Sequence, residues 1–303
     1  MDLSNKVAIV TGSGQGLGLA YAQQLARCGA SVVVNDINAE TAQAAVASIS
    51  AEGGKAHAVA GVVGSAETAQ ALVDGAVEAF GRLDILVTNA GILRDKVVWK
   101  MSDEDFDQVL DVHMRGTFTC VRAAVIRMRE QGEGGRIICI GSPAGQRGNF
   151  GQTNYSGAKA GIVGMVRTWA MELRRADITA NAVVPVAATA MTETVPFLKP
   201  YVEAMRGGEE LPAFARRELG FGGPQDATGI VAYLAGDEAA EITGQAVAVG
   251  GDRLALWSHP DMTVTAYHDG GWDPDAIAAE WPTTFAEHLE SVGEKLPEEA
   301  TTR

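Results

Sequence analysis

Residues 6–18 read "KVAIVTGSGQGLG", an apolar run followed by a loop in which every second residue is glycine. A short apolar run bounded by turn residues predicts a buried strand, and the pattern after the loop predicts a helix. Glycines let the loop backbone approach a ligand closely, and a helix N-terminus stabilises negative charge. The stretch therefore predicts a strand–turn–helix unit that binds a pyrophosphate group. The alternative is a turn that only packs the helix on the strand.

The same alternation of strand and helix continues along the chain. Apolar runs typical of strands lie at residues 7–10, 31–35, 56–60, 85–88, 136–140, 178–184 and 246–249. Alanine-rich helical patterns lie near residues 17–29, 39–52, 66–80, 103–131, 155–175 and 225–237. Near-continuous apolar strands joined by helices indicate a parallel sheet covered on both faces. We therefore expect an α/β protein with a doubly wound, Rossmann-like parallel sheet of seven strands.

Composition narrows the class of protein. The chain has 303 residues, is 47% hydrophobic and carries a net charge of -14, which argues against nucleic acid or an anionic membrane as a partner. Cys28, Cys120 and Cys139 lie in apolar segments without ligand spacing, so we expect free thiols in a reducing compartment and no metal site. The first strand leaves no room for a signal peptide, and no apolar run approaches ~18 residues. A cytoplasmic protein is expected.

A carboxylate follows the second predicted strand. Asp36 comes 18 residues after Gly18, where an acidic side chain can bond the ribose hydroxyls of an adenine dinucleotide and repel a 2′-phosphate. Its neighbours Gln15 and Ile37 are not basic, so they offer that phosphate no partner. The sequence therefore predicts NAD rather than NADP.

A tyrosine and a lysine stand four residues apart in "NFGQTNYSGAKAG", residues 149–161. On a helix Tyr155 and Lys159 share one face, and a cation beside a phenol favours the phenolate. Lowering a phenol pKa from ~10 to ~7 takes about 4 kcal/mol, which one cation at ~4 Å supplies at an effective dielectric of ~20. The pair therefore predicts a tyrosine that exchanges protons. The alternative is a lysine that only snorkels over a half-buried tyrosine.

Together, "TGSGQGLG", "TNAG" at residues 88–91, Ser142, Tyr155 and Lys159 resemble the short-chain dehydrogenase/reductase family over about residues 5–253. The resemblance implies that Ser142 holds the substrate oxygen, Tyr155 exchanges its proton, and Lys159 binds the nicotinamide ribose while lowering the pKa of the tyrosine. It also implies an NAD-dependent enzyme. The candidate cofactor contacts are Gly12, Gln15, Gly16, Leu17, Gly18, Asp36, Val62, Asn89, Ala90, Gly91, Tyr155, Lys159 and Val186.

The chain departs from the family pattern at four positions. His113, in "LDVHMRG", replaces the usual Asn on the helix after strand four, so either its ring takes part in a proton relay or only its backbone carbonyl does. Gly61 replaces an Asp, which leaves Val62 as an apolar wall for adenine. Val186 replaces the glycine after Pro185, where the backbone of the family contacts the nicotinamide carboxamide. Thr88 replaces an Asn, with little expected effect.

A narrower resemblance rests on "NAGILRDK", "SDEDFDQVLDVHMRGTF", "GNFGQTNYS", "MTETV" and "GGWDPDAIAAEW". These segments are similar to the (3R)-hydroxyacyl-CoA dehydrogenase unit of peroxisomal multifunctional enzyme type 2, also called a 17β-hydroxysteroid dehydrogenase type 4. The resemblance implies oxidation of a 3-hydroxyacyl-CoA, or of a steroid with such a side chain, to the ketone. The alternatives are a 3-oxoacyl-carrier-protein reductase, another short-chain alcohol dehydrogenase, and a catalytically dead NAD-binding regulator.

The resemblance also implies a homodimer or homotetramer, formed through the helices at 103–131 and 155–175. Five apolar residues of these helices are expected to lie beyond what covering the sheet requires: Val121, Val125, Ile162, Val166 and Trp169. Four basic residues near the predicted site are expected to form a positive rim for coenzyme A phosphates: Arg94, Lys96, Lys100 and Arg147.

Two segments fall outside the alternation of strands and helices. Residues 190–222 form an insert on the substrate side of a single domain at 1–253, and residues 254–303 form an acidic extension. Three of the five tryptophans lie in that extension: Trp257, Trp272 and Trp281. So much aromatic surface is rarely left in water, so the extension either covers the substrate mouth or a neighbouring subunit, or forms a structural cap. The last residues, "EKLPEEATTR", are expected to be frayed.

Overall fold

The computed structural model describes residues 1–189 and 198–293. The "MTETV" segment, residues 191–195, and the frayed end predicted beyond residue 293 lie outside the described residues. The described strands form one sheet in the order β3-β2-β1-β4-β5-β6-β7-β8, in which all neighbours are parallel except β7 and β8. Their bounds are β1 Val7–Val10, β2 Ser31–Asp36, β3 Lys55–Ala60, β4 Ile85–Thr88, β5 Gly135–Ile140, β6 Ile178–Pro185, β7 Ala246–Gly250 and β8 Arg253–Trp257.

Helices cover both faces of this sheet. Their bounds are α1 Gly16–Arg27, α2 Ala39–Ala51, α3 Ala66–Phe80, α4 Asp103–Leu110, α5 Gly116–Gln131, α6 Pro143–Arg147, α7 Thr153–Glu172, α8 Lys199–Arg206, α9 Ala213–Arg217, α10 Thr228–Ala235 and α11 Pro274–Thr284. One core cluster joins α3, α5 and α7 to the sheet, and a second joins α1, α2 and α10 to the opposite face. Burial on two faces explains why the strands are continuously apolar.

The strand order reverses between β1 and β4. Ile9 of β1 pairs with Val33 of β2 on one side and with Leu86 of β4 on the other. The connections after β1 and β4 leave in opposite directions, so a crevice opens beyond their carboxyl ends. The glycine-rich loop follows β1 and "TNAG" begins at the end of β4, so both motifs meet at this crevice.

The sheet has an eighth strand in addition to the seven predicted. Gly250 of β7 pairs with Arg253 of β8 across a two-residue turn, in which Gly251 has φ +52°. Glycine adopts this conformation without steric cost, so the turn can reverse the chain into an antiparallel edge strand. Leu254 and Leu256 of β8 are 66% and 70% exposed, which is why the run was not recognised as a buried strand. The predicted boundary at residue 254 falls within this strand and stays a prediction.

The single helix predicted over 103–131 is divided. Between α4 and α5 lies a π-helical turn, Asp111–Arg115, in which the backbone N–H of Gly116 donates to the carbonyl of Asp111. The extra residue in this turn changes the direction of the side chains that follow, and such turns are frequent at functional sites. His113 lies in the turn, and it is buried although the residues beside it are not.

The insert and the extension differ in how they pack. In the described part of the insert, α8 and α9 enclose a small core around Leu198, Tyr201 and Phe221. Helix α11 of the extension has no buried residue, but the chain beyond it returns to α6, where Arg147 Nε donates to the carbonyl of Gly293 at 2.7 Å. No helix in the described ranges is long and apolar enough to cross a membrane.

Candidate active site

A cavity of about 810 Å³ occupies the crevice at the carboxyl ends of the strands. All residues predicted as catalytic or cofactor-binding line it: Gly12, Gln15, Gly16, Leu17, Gly18, Asp36, Val62, Asn89, Ala90, Gly91, His113, Ser142, Tyr155, Lys159 and Val186. The structure thus brings together side chains that lie up to 174 positions apart, from Gly12 to Val186. Their roles stay predictions. None of the three extension tryptophans lines this cavity, so within one described chain the extension does not close it.

The glycine loop has the geometry of an anion cradle. Gly12 and Gly16 have φ of +59° and +60°, and a Cβ at Gly18 would lie 2.2 Å from the carbonyl oxygen of Gly12. Helix α1 begins at Gly16 without a side-chain cap, so its first N–H groups keep their bonding capacity. A Cβ built at Gly16 meets no atom within 4 Å, so the space before the helix is open. These residues fit the pyrophosphate of a dinucleotide.

Thr11 and Asn89 fasten the end of β4 to the glycine loop. The Asn89 amide donates to the carbonyl oxygens of Thr11 and Gly12 at 3.1 and 3.0 Å. The backbone N–H groups of Asn89 and Ala90 donate to the Thr11 hydroxyl at 3.0 and 3.1 Å. The brace implied for Asn89 is therefore present as a contact. Thr11 was missed, although it is the first residue of "TGSGQGLG".

Asn35 is a second residue that the sequence analysis missed. It is buried in β2, and its amide nitrogen donates to the carbonyl oxygens of Val59 and Gly61, both at 3.1 Å. Its side-chain oxygen accepts from the backbone N–H of Gly12 at 3.3 Å. One amide thus joins the loop after β1 to the loop after β3. A polar residue inside the apolar run "SVVVND" was the available signal.

Asp36 lies beside the glycine loop at the far end of the cavity. Its Oδ1 accepts from the backbone N–H of Asn38 at 3.0 Å, and a Cβ at Gly14 would lie 2.4 Å from its Oδ2. Ile37 and Val62 are 73% and 52% exposed along the same part of the cavity. A carboxylate flanked by apolar side chains fits the adenosine half of a dinucleotide. Lys159 is the one lysine or arginine among the described lining residues, and it lies beside Tyr155.

Ser142, Tyr155 and Lys159 converge at the other end of the cavity. Ser142 caps α6, where its hydroxyl accepts from the N–H of Ala144 at 3.2 Å, and it also hydrogen-bonds the Tyr155 phenol. The Lys159 Nζ lies 5.6 Å from the centroid of the Tyr155 ring and donates to the carbonyl of Ile140 at 2.6 Å. Burial lowers the pKa of Lys159 to about 8. The two side chains share a helix face, as the spacing predicts.

The pKa of Tyr155 differs from the expectation. Burial raises it above its ordinary value of 10.0, the hydrogen bond from Ser142 lowers it, and the negative charge of Asp95 raises it further. Lys159 does not offset the burial, because with a pKa of about 8 it loses its proton before the phenol titrates. In the protein alone, therefore, Tyr155 holds its proton more firmly than a phenol in water.

His113 is buried behind Tyr155. Its Nε2 lies 2.8 Å from the carbonyl oxygen of Ile92 and 3.1 Å from its N–H, and its ring meets the Tyr155 ring edge-on at 5.2 Å. Nδ1 is buried without a partner among the described residues. A Cβ at Gly91 would lie 2.3 Å from the ring, so the glycine of "TNAG" makes room for it. Burial, and secondly the charge of Lys159, lower its pKa to about 3. The imidazole is therefore neutral at physiological pH.

The buried His113 should make the protein sensitive to acid. Its pKa falls from 6.5 to about 3 on folding, so the unfolded state binds the proton first and the free energy of unfolding falls as the pH drops below 6.5. At pH 4.5 the loss from this group is about 2 to 3 kcal/mol. His113→Asn should remove that difference between pH 6.5 and 4.5, measured by urea unfolding at both pH values. The exposed His288→Asn is the control, and an unchanged difference in His113→Asn would contradict the assignment.

The start of α7 is held by polar residues that were not predicted. Asn154 is buried, and its amide donates to the carbonyl oxygens of Arg94 and Asp105 at 3.1 and 3.0 Å. Gln152 is also buried and donates to a carboxyl oxygen of Asp95 at 2.8 Å. These bonds fix the turn of helix that carries Tyr155. Both residues stand in "NFGQTNYS", so their closeness to the tyrosine was the available signal.

The four basic residues expected to form a positive rim for coenzyme A do not line the described cavity, and the rim stays a prediction. Lys96 pairs with Asp105 at 2.7 Å, Arg94 Nε donates to Gln108 at 3.0 Å, and Arg147 holds the extension. Lys100, the fourth residue, also does not line the described cavity. Three of the expected phosphate contacts are thus committed to structural partners within the chain.

The crevice, its glycine loop and the Ser142, Tyr155 and Lys159 constellation define a dinucleotide-binding oxidoreductase. The sequence profile of short chain dehydrogenases matches residues 6–196, which is more than half of the chain. The protein belongs to the short-chain dehydrogenase family. It is accordingly an enzyme that interconverts a hydroxyl and a keto group with a nicotinamide dinucleotide as cofactor, and the predicted fold class and family are confirmed.

Individual relatives lie in several branches of this family. The chain is 42% identical to "Hydroxyacyl-CoA dehydrogenase ChsB1" of Mycobacterium tuberculosis, over 94% of this chain and 90% of that protein. It is 42% identical to a "3-oxoacyl-[acyl-carrier-protein] reductase" of Synechocystis, over 83% and 98%. It is 44% identical to "Peroxisomal multifunctional enzyme type 2" of Mus musculus, over 64% of this chain and 27% of that protein. The resemblance to that multifunctional enzyme is confirmed.

A solved structure is similar over the whole length. A short chain dehydrogenase from Mycobacterium avium superposes with a TM-score of 0.80 and 32% identity, over 98% of this chain and 99% of that chain. The similarity includes the extension, so the segment after β7 is not peculiar to this protein.

Proposed function

We propose that this protein is an NAD-dependent dehydrogenase that oxidises the 3-hydroxyl group of a 3-hydroxyacyl-CoA, including one borne on a steroid side chain. The observation that carries the proposal is a single cavity with Ser142, Tyr155 and Lys159 at one end and Asp36 at the other. Similarity to a hydroxyacyl-CoA dehydrogenase over nearly the whole chain supports the substrate class. A hydroxysteroid with no acyl-CoA group is an alternative substrate for the same reaction.

In the proposed mechanism Ser142, Tyr155 and Lys159 have different tasks. The Ser142 hydroxyl holds the substrate oxygen, and the Tyr155 phenol exchanges a proton with it. Lys159 keeps one N–H on the carbonyl of Ile140, so its remaining N–H groups can hold a ribose hydroxyl and support a phenolate. A nicotinamide cofactor, when bound, exchanges the hydride and in its oxidised form adds positive charge. Because the protein alone raises the pKa of Tyr155, the proton leaves the phenol readily only in the assembled site.

Cofactor preference follows from the adenosine end of the cavity. The Asp36 carboxylate can accept hydrogen bonds from two ribose hydroxyls, and it would repel a phosphate on either. The side chains beside it in the lining, Gln15, Ile37 and Val62, provide no positive charge. We therefore propose NAD. Val186 lines the cavity near the proposed nicotinamide end, where its backbone can take the place of the usual glycine.

A 3-oxoacyl-carrier-protein reductase is the second candidate, favoured by the similarity to such a reductase over almost its full length. Such reductases commonly use NADPH. The two candidates therefore differ in their cofactor as well as in their substrate. The third candidate, an NAD-binding protein without activity, has no support in the geometry, since the three proposed catalytic side chains lie together at one cavity.

The test is a panel of substrates followed by absorbance of the reduced cofactor. The panel holds 3-hydroxyacyl-CoA thioesters of several chain lengths, hydroxysteroids and short secondary alcohols with NAD, and 3-oxoacyl-carrier protein with NADPH. We expect the highest kcat/KM with NAD and a 3-hydroxyacyl-CoA. Highest turnover of 3-oxoacyl-carrier protein with NADPH would instead establish the second candidate.

We further propose that the protein is a homodimer or homotetramer. Val121, Ile162 and Val166, expected at an interface, lie in the core, and Val125 and Trp169 pack against it. The exposed apolar side chains on α5 and α7 are instead Phe118, Ile126 and Met171, at 42%, 55% and 74% exposure. The proposal therefore rests on these three, since an apolar face of this kind is commonly covered by a second copy.

Light scattering at micromolar concentration should give the mass of a dimer or tetramer, and Ile126→Glu combined with Met171→Glu should reduce it. Met262→Glu, at an 81% exposed position of the extension, is the control. A wild-type mass of one chain, 31.6 kDa, would contradict the proposal. A cytoplasmic location stays a prediction of the sequence alone.

A further inference from the structure

A polar pair lies at the substrate side of the cavity, next to the proposed catalytic tyrosine. Gln152 is 6% exposed and stands three residues before Tyr155. Its amide nitrogen donates to Asp95 at 2.8 Å, and its amide oxygen accepts from Asn149 at 2.9 Å. A carboxylate can only accept, so these bonds fix which end of the amide is the nitrogen. One N–H of Gln152 remains for a ligand, and both Gln152 and Asn149 line the cavity.

The backbone holds this pair rigidly. Lys96 N–H donates to the carbonyl of Gly151 at 2.8 Å, and Lys96 and Gln152 form a parallel β-bridge. Asn154 bonds the carbonyl of Arg94. The residues on both sides of Asp95 are thus tied to the residues on both sides of Gln152. Neither side chain is needed by the three-residue mechanism above.

Asp95 carries a charge that no nearby cation neutralises. Within the described ranges it takes part in no ion pair, because the neighbouring Lys96 pairs with Asp105 and Arg94 bonds Gln108. Asp95 is exposed and does not itself line the cavity but contacts the lining residue Gln152, and partial burial of its carboxyl group raises the pKa of that group. Its charge also reaches the Tyr155 phenol, whose pKa it raises. The reacting end of the cavity is therefore electronegative on the Asp95 side.

We propose that Asp95 and Gln152 select the neutral acyl group of a thioester and reject a free hydroxy acid. The inference rests on the proposed function. In a 3-hydroxyacyl substrate the carbonyl carbon is two bonds from the reacting carbon, so it must lie near Tyr155 and hence near the helix turn that bears Gln152. The free N–H of Gln152 donates to the thioester carbonyl, and the Asp95 charge repels a carboxylate at the same place. Repulsion between the Asp95 carboxylate and the carboxylate of a free acid should weaken binding by about tenfold.

The test compares one acyl group in three forms: 3-hydroxybutyryl-CoA, the uncharged methyl ester of 3-hydroxybutyrate, and free 3-hydroxybutyrate. Asp95→Asn removes the charge and keeps an oxygen that accepts from Gln152. It should raise the ratio of kcat/KM for the free acid to kcat/KM for the methyl ester about tenfold, because any effect on Tyr155 is common to both substrates. If the free acid turns over too slowly in the wild type, its inhibition constant against the methyl ester replaces kcat/KM.

Asp107→Asn, which replaces an exposed carboxylate on α4, makes the same change in net charge and should leave the ratio of acid to ester unchanged. Gln152→Leu should raise KM for both the thioester and the methyl ester about tenfold, with KM for NAD unchanged. An equal effect of Asp95→Asn on the acid and the ester, or the same effect from Asp107→Asn, would overturn this inference and leave the proposed function standing. A wild type that turns over no 3-hydroxyacyl thioester or ester would overturn both.

Discussion

Tyr155→Phe should lower kcat by at least about a thousandfold and change Kd for NAD by less than about threefold. The substitution removes only the phenol oxygen, which is the one atom at this position that can exchange a proton with the substrate. The ring remains, so its edge-on contact with His113 at 5.2 Å and its position beside Lys159 are kept. The substitution should therefore remove turnover and leave cofactor binding almost unchanged.

Steady-state turnover and NAD titration by calorimetry check this result. Tyr21→Phe is a matched control, because the Tyr21 hydroxyl is also buried and has no partner among the described residues, but Tyr21 belongs to α1 and packs in the core on the opposite face of the sheet from α7. Its kcat should equal that of the wild type. If Tyr155→Phe keeps more than about a tenth of kcat, the tyrosine is not the proton-exchanging group.

Asp36→Ala should reduce the preference for NAD over NADP by about a hundredfold in the ratio of the two kcat/KM values. The Asp36 carboxylate stands over the glycine loop, where the N–H of Asn38 orients it, and the described lining offers no cation on that side. A 2′-phosphate placed there meets a like charge at short range, whereas two ribose hydroxyls meet an acceptor. The substitution removes both effects, so NAD should bind more weakly and NADP more tightly.

Kinetics with both cofactors and one alcohol substrate measure this ratio. Asp74→Ala removes an exposed carboxylate from α3 and should leave the ratio unchanged, which separates the local effect from the change in net charge. A wild-type enzyme that already prefers NADP would show that the Asp36 carboxylate does not decide the cofactor.

Much of the site could be predicted because its residues occur in local sequence patterns. Glycines at Gly12, Gly16 and Gly18 are required by backbone geometry within one turn, and the four-residue spacing of Tyr155 and Lys159 follows from the period of a helix. Such features depend on the chain a few residues to either side. The same holds for the apolar strands, whose burial on both faces leaves a continuous signal.

Local sequence patterns do not show how groups that are distant in sequence affect one another's pKa values and charge pairing. The sequence correctly places Lys159 beside Tyr155, but the direction of the tyrosine pKa depends on how deeply both are buried and on Asp95, which comes from another segment. Likewise, the sequence suggests that Lys96 is a free surface cation, whereas in the structure it forms an ion pair with Asp105. A charge cannot be assigned to a ligand before its competing partners are known.

The sequence by itself determined the order of the seven parallel strands, the resemblance of its motifs to the family, and the residues that meet at the crevice, because each depends on short segments of the chain. Tertiary structure alone decided the antiparallel strand Arg253–Trp257, the π-helical turn at His113 and the link between Asp95 and Gln152. The Asp95–Gln152 link joins positions 57 residues apart, whereas the strand and the π-helical turn are local in sequence and depend on backbone geometry. Their energies depend on burial and geometry, which no local pattern encodes.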